Sequence, residues 1–315
     1  MRRIIVTGAT SYIAIALIKR LLAEGYLIYA VIRPGSANRV KLPQSARLHI
    51  LELNMYQYFA LSTMELGEID AVYHFAWDGV RGQSRTDDAL QLNNIECAKQ
   101  LLEVVCQCKI PCFIGMGSQA EYGLTGGRLI TEDTPLNPVE SYGMAKKSIF
   151  LHGMEQAGRY ELNFVWARIF SAYGYGESPN TLIMSSLAKM LRGEDIKLSP
   201  CEHLWDYLYL EDLAEALYLL YEAHCPTGAY NISYGCPRPL KYYLEKMKEI
   251  FHSHSRLEFG AIPYGPNIVQ MNPSIGKIQS AALWSPKIDF ETGIQKLYED
   301  VKNGYEKDKH ISTDL

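Results

Sequence analysis

Tyr142 and Lys146 stand four residues apart in the segment SYGMAKK. On a helix that spacing puts both side chains on one face. A protonated lysine beside a phenol favours the phenolate and lowers a pKa that is ordinarily about 10. Such a tyrosine can give or take a proton at a carbon where a hydride arrives or leaves. The lysine can also hold the hydroxyls of a ribose. A third group must hold the reacting oxygen. Ser118, in IGMGSQAEYG, follows a short apolar run, and a serine hydroxyl placed there can stabilise a developing alkoxide.

Chemistry of this kind needs a carrier, and the N-terminal segment IIVTGATSYIAIALIKRLL reads as strand, turn and helix. In that context small residues give a tight turn, close approach of backbone to a pyrophosphate, and tight packing of helix on sheet. The three positions are Gly8, Ser11 and Ala14, of which only the first is glycine. Thr10, Ser11, Tyr12 and Ile13 complete the expected cofactor turn. The end of the second apolar run selects the cofactor. A carboxylate there would bind the ribose 2′-hydroxyl of NAD. Arg33 stands there instead, with Arg39 nearby, and a guanidinium pairs well with the 2′-phosphate of NADP. NADP(H) is therefore the favoured cofactor, with NAD(H) as the alternative.

The elements that must hold these residues follow from periodicity. Short apolar runs at 4–7, 27–32, 48–51, 71–75, 112–116 and 163–169 read as buried strands. Helical patterns at 14–23, 89–106 and 142–157 separate several of them. Strand and helix in alternation give an α/β fold with a doubly wound parallel sheet of the Rossmann type. Ligands bind at the carboxyl edge of such sheets, where Ser118 would lie. After about residue 174 glycine and proline become frequent, with further helices at 181–192, 211–223 and 240–251. The expected domains are 1–172, with a returning segment near 205–225, and a smaller substrate lobe at 173–315. The polar tail from Lys302 is expected to fray.

Composition sets limits. The 315 residues carry a net charge of −4, so there is no basic footprint for nucleic acid or an anionic membrane. No apolar run reaches the roughly 18 residues of a membrane span. The seven cysteines, Cys97, Cys106, Cys108, Cys112, Cys201, Cys225 and Cys236, include no CxxC pair and suit a reducing cytoplasm. His252 and His254 with Cys236 match no usual metal spacing, so no metal is expected. His74, at the end of a buried strand, reads as structural. Asp87 and Asp88 read as helix-start acids.

Taken in order, VTGATSYIA, DAVYHFAW, NNIECAKQLLEVV, GSQAEYG, TPLNPVESYGMAKK, ARIFSAYGYGE, WDYLYLEDLAEAL and YNIS resemble the extended short-chain dehydrogenase/reductase family. That family contains nucleotide-sugar epimerases, dehydratases and ketoreductases. The resemblance runs from Ile4 to about Glu291. It implies that Ser118, Tyr142 and Lys146 form the catalytic triad, that Ala76 gives the cofactor a backbone contact, and that Glu52 and Leu53 lie beside its adenine. It implies a structural role for Asn94 at a helix start. It also implies a homodimer formed through a four-helix bundle by the helices at 89–106 and 142–157.

Departures from the family pattern narrow the choice. The acid of the family's dehydratases would fall at position 120, which is alanine, and Glu121 would point elsewhere. Arginines that hold the substrate diphosphate in many epimerases are missing: Trp205 replaces one, and 264–273 offers none. Arg238 or Lys241 would have to substitute. Gln119, Arg168, Tyr173, Asn180, Trp205 and Arg238 are the substrate-side candidates. The expected activity is NADPH-dependent reduction of the keto group of a nucleotide-linked 4-keto-6-deoxy sugar. The alternatives are an NAD-dependent nucleotide-sugar epimerase and, in another class, a non-catalytic NADP(H) sensor or scaffold.

Overall fold

The computed structural model describes residues 1–311, with side chains through Lys302. Its first half alternates β1 (Arg3–Thr7), α1 (Tyr12–Ala23), β2 (Leu27–Ile32), β3 (Leu48–Glu52), β4 (Ala71–His74), α2 (Asp88–Gln107), β5 (Cys112–Ser118), α3 (Ser141–Arg159) and β6 (Asn163–Ile169). Then come β7 (Ser171–Tyr173), α4 (Leu182–Arg192), β8 (Ile196–Leu198), β9 (Leu204–Trp205), β10 (Tyr207–Tyr209), α5 (Leu210–Glu222) and β11 (Gly228–Ile232). β12 (Arg238–Pro239), α6 (Leu240–Ile250), β13 (Leu257–Phe259), α7 (Gly276–Ala282) and α8 (Phe290–Ile311) complete the chain.

The sheet has seven strands in the order β11-β6-β5-β4-β1-β2-β3, and every neighbouring pair is parallel. This is the doubly wound α/β fold, its strand order reversing between β1 and β4. One core cluster joins α1, α5 and α7 to one face through Leu17, Leu217 and Ile278, and another joins α2 and α3 to the other through Leu101 and Ile149. Strands buried on both faces need apolar side chains in both directions, which is why the runs in the sequence do not alternate.

Element bounds move from the sequence expectation in physically clear ways. α1 begins at Tyr12 rather than 14 because Ser11 caps it, accepting from Ala14 N at 3.2 Å. α2 begins at Asp88 because Asp87 caps it, accepting from Leu90 N at 3.0 Å. Asn94 therefore lies inside α2 and does not open it. The seventh strand, β11, comes from residues beyond the returning segment expected at 205–225. The lobe has its own core, where Leu187, Tyr207, Leu244 and Phe290 pack together. The fraying expected from Lys302 is corrected by α8, which remains helical to Ile311; residues 312–315 lie outside the described residues.

The end of β5 is tied to β6 by buried charge. Glu121, fully buried, accepts from Ser118 N at 2.8 Å, from Trp166 Nε1 at 2.9 Å and from Arg168 Nε at 2.8 Å. Gly117 leaves the room, since a Cβ there would lie 2.4 Å from Trp166 Nε1. Arg168 also donates to Tyr122 Oη at 2.9 Å, which donates to Asn231 of β11 at 2.6 Å. Removing one partner of a buried ion pair strands the other. Arg168→Met should therefore cost about 3–5 kcal/mol of stability in urea unfolding. A loss near zero would contradict the reading of Arg168 as the buried counter-ion of Glu121.

Candidate functional site

Ser118, Tyr142 and Lys146 meet at the carboxyl edge of the sheet. Ser118 is the last residue of β5, and Tyr142 and Lys146 lie in the first turns of α3. All three are buried. The Ser118 hydroxyl accepts from Ala120 N at 3.2 Å and faces the Tyr142 phenol, a contact that favours its ionised form. Lys146 Nζ donates to Met116 O at 2.8 Å and lies 3.5 Å from the centre of the Trp77 ring.

The electrostatics correct one expectation. Lys146 lies 5.7 Å from the centre of the Tyr142 ring, and burial raises the Tyr142 pKa above the ordinary phenol value. The opposing influences are the Arg85 charge and the Ser118 hydroxyl. The Arg85 guanidinium lies 4.2 Å from the ring centre and is ion-paired with Glu140. Lys146 is itself pushed down to about 7 by burial, with Glu121 acting the other way.

The turn after β1 packs tightly against the segment that follows β4. Gly8 has φ +63°, and a Cβ there would lie 2.5 Å from Ala76 N. Only glycine lets the turn and the segment after β4 approach so closely. Thr10, Ser11, Tyr12 and Ile13 are half-buried around the N-terminus of α1, a place that favours an anion. The Tyr12 hydroxyl donates to Ala172 O at 3.2 Å. These features fit a dinucleotide, with the turn available to its pyrophosphate and Lys146 to a ribose.

Arg33 follows β2 and is well exposed, 3.4 Å from the Asp78 carboxylate. Asn94 clamps the Asp78 backbone, accepting from its N at 3.0 Å and donating to its O at 2.8 Å. Glu52 ends β3 and accepts from Arg39 at 2.7 Å; Leu53 beside it is half-buried. Arg33, Arg39 and Glu52 thus share one rim of the sheet.

The substrate-side candidates divide. Gln119 is half-buried beside Ser118, while Asn180 and Arg238 are exposed and Lys241 is half-buried. Trp205 pairs backbone to backbone with Arg238 and meets the ring of His203 edge-on at 5.7 Å. Two candidates are corrected. Arg168 is 1% exposed and committed to Glu121 and Tyr122. Tyr173 is buried, donating to Phe290 O at 3.2 Å. Both side chains point into packed interior, so neither faces a ligand.

Trp77, Arg85 and Glu121 were not singled out as site residues from the sequence. Glu121 had a signal, for Ser118-x-x-Glu121 is capping-box spacing, and that box is formed. His74 bonds Thr7 Oγ1 at 2.7 Å, but its Nε2 is buried without a partner, and burial pushes its pKa down to about 3. Among the described residues all seven cysteines are free, no group of three His, Cys, Asp or Glu could hold a metal, and no helix is long and apolar enough to cross a membrane.

Fold and site together define a nicotinamide dinucleotide enzyme of the extended short-chain dehydrogenase type. The NAD dependent epimerase/dehydratase family model matches residues 4–233, and the chain belongs to that family. It is 24% identical over 309 residues to CDP-abequose synthase of Salmonella muenchen, covering 94% of this chain and 97% of that one. It is 28% identical over 256 residues to dTDP-6-deoxy-L-talose 4-dehydrogenase (NAD(+)) of Aggregatibacter actinomycetemcomitans, covering 77% and 88%. Its fold is similar to UDP-glucose 4-epimerase from Thermotoga maritima with UDP-glucose, at a TM-score of 0.87 and 22% identity over 96% of this chain and 99% of that one. It is similar too to dTDP-glucose 4,6-dehydratase from Bacillus anthracis in complex with NAD, at a TM-score of 0.86 and 19% identity over 97% and 98%.

The Lys146 shift has a consequence for stability. Its folded pKa of about 7 lies below its ordinary 10.5, so between those values the unfolded chain binds more protons and stability rises with pH. Lys146→Met should therefore stabilise the protein most below pH 7, with the gain shrinking as pH rises toward 10.5. Melting curves of both proteins across that range check this. A gain that grows with pH would contradict the burial of charge.

Proposed function

We propose that this enzyme uses NADPH to reduce a keto group, at C4 of a 4-keto-6-deoxy sugar linked to a nucleotide. The observation that carries the reading is the cluster of Ser118, Tyr142 and Lys146 on the carboxyl edge, beside the turn at Gly8. When bound, a reduced nicotinamide supplies hydride. Reduction of a ketone also needs a proton on oxygen, and Tyr142 would give it. Ser118 would hold the oxygen as charge develops there. Lys146 would hold the cofactor ribose, with Gly8, Thr10, Ser11, Tyr12, Ile13 and Ala76 around the pyrophosphate and Glu52 and Leu53 near the adenine.

Two relatives named for a synthase of CDP-abequose and a 4-dehydrogenase of a dTDP-6-deoxy sugar support the substrate class. Alanine at position 120 removes the acid that water elimination would need. Arg33 supports NADP(H), since its guanidinium is exposed at the end of β2, 3.4 Å from the Asp78 carboxylate. The epimerase reading is favoured by relatives named UDP-glucose 4-epimerase, and the same three residues would serve it.

Titration of purified protein with NADPH and NADH separates the readings. NADPH should bind more tightly, Arg33→Ala should abolish the preference, and Tyr142→Phe should retain binding while losing at least a hundredfold in turnover. NAD retained through purification would move the assignment to an epimerase. Binding without turnover of any keto sugar would favour the sensor.

The reading extends to a homodimer. α2 and α3 pack side by side against the sheet, and Leu92, Met144 and Leu151 expose more than half their surface on these helices. A second copy would cover such a face as a four-helix bundle. Leu92→Glu with Leu151→Glu should halve the mass seen by light scattering. An unchanged mass would place the interface elsewhere or deny it.

A further inference from the structure

Two cations stand near Tyr142, and they differ in what they face. Lys146 spends its Nζ on Met116 O at 2.8 Å and on the face of Trp77 at 3.5 Å. Arg85 reaches in from the 3-10 segment Gly82–Thr86 between β4 and α2, its Cζ 4.2 Å from the centre of the Tyr142 ring. Arg85 is tethered at both ends of its guanidinium, donating to Val80 O at 3.2 Å and to Glu140. Glu140 is the residue that precedes α3. Trp77 meets Tyr142 edge-on at 6.3 Å and is fixed by its own bond to Gln91 at 2.9 Å. The Arg85 side chain is 24% exposed and Tyr142 is buried, so water screens their interaction little.

We propose that Arg85 is a positioning residue for Tyr142: it holds the ring by stacking and supplies the positive field that eases the phenol's proton loss, with Glu140 limiting that field. This rests on the reading of Tyr142 as the group that exchanges a proton with substrate. The charged groups that act on the phenol come from every side. Arg85 comes from the segment after β4, Glu140 from the turn before α3 and Glu121 from the end of β5; Lys146, on the same helix, lies 5.7 Å from the ring centre. Arg85 favours the phenolate and the two glutamates oppose it. A stacked guanidinium with a fixed counter-ion is a stiff arrangement. It keeps the ring oriented and keeps the charge in place when Lys146 turns to a ribose.

The test is the ionisation of Tyr142 in the full chain carrying ¹³Cζ-labelled tyrosine, with Tyr142→Phe used to assign its signal. Arg85→Gln should move the ionisation to higher pH by about one unit or more. Glu140→Gln should move it lower, and Arg85→Lys, which keeps the charge but loses the planar stack and one tether, should move it up by less than Arg85→Gln does. In the reduction reaction the donor must be protonated, so the alkaline fall in rate should move in the same directions. The proposal is overturned if folded Arg85→Gln ionises with the wild type. It is equally overturned if the signal stays at the neutral-phenol position in both wild type and Glu140→Gln. The titration needs no substrate. A chain that turns over no keto sugar would sink the reductase reading and leave the Arg85 result to stand by itself.

Discussion

A carboxylate in a dry interior must be paired, and Glu121 is paired three ways. It takes the backbone N–H of Ser118, the indole N–H of Trp166 and the guanidinium of Arg168. The end of β5 is thereby fixed against β6, and with it the position of the Ser118 hydroxyl. Through Tyr122 and Asn231 the same network reaches β11, which comes from the C-terminal half of the chain. The end of β5 and the sheet's last strand are joined by hydrogen bonds whose loss would leave buried polar groups unsatisfied. The same charge also acts on Lys146 and Tyr142, so the scaffold contributes to the electrostatics of the site.

The site on that scaffold is crowded with cations and aromatic faces. The Tyr142 phenol and the Lys146 ammonium are both buried, which disfavours the charged form of each. The segment after β4 answers this with Trp77 over the ammonium and Arg85 over the phenol. Its other contact is structural: Ala76 comes so near the turn after β1 that Gly8 has no room for a side chain. One loop between β4 and α2 thus bears on the turn at Gly8 and on both Tyr142 and Lys146.

Much of the fold was legible because buried parallel strands are short and mostly apolar. Six of the seven sheet strands stand out in that way. β11 did not, since its five residues carry a buried asparagine, Asn231, whose polar atoms are satisfied only by distant partners. The lobe strands are two or three residues long, too short for any period to show. In the site, a fixed spacing announced Tyr142 and Lys146, and Ser118 lay at a strand end. Arg168 and Tyr173 were misjudged because position along the chain says which element a residue joins, not which way it points. Arg85 and Trp77 left no local signal, as the side chains they face in the site, Tyr142 and Lys146, lie on α3, far along the sequence. The pKa direction of Tyr142 followed from burial, which a motif does not reveal.

The central claim is a net reduction in which hydride from NADPH and a proton from Tyr142 arrive at one carbonyl. The most direct test supplies NADPH deuterated at the transferring position together with a nucleotide-linked 4-keto-6-deoxy sugar. One NADPH should be consumed per sugar, with deuterium bound to C4 of the product. Interconversion of sugars without consumption of NADPH, and without deuterium in the product, would contradict it and favour an epimerase.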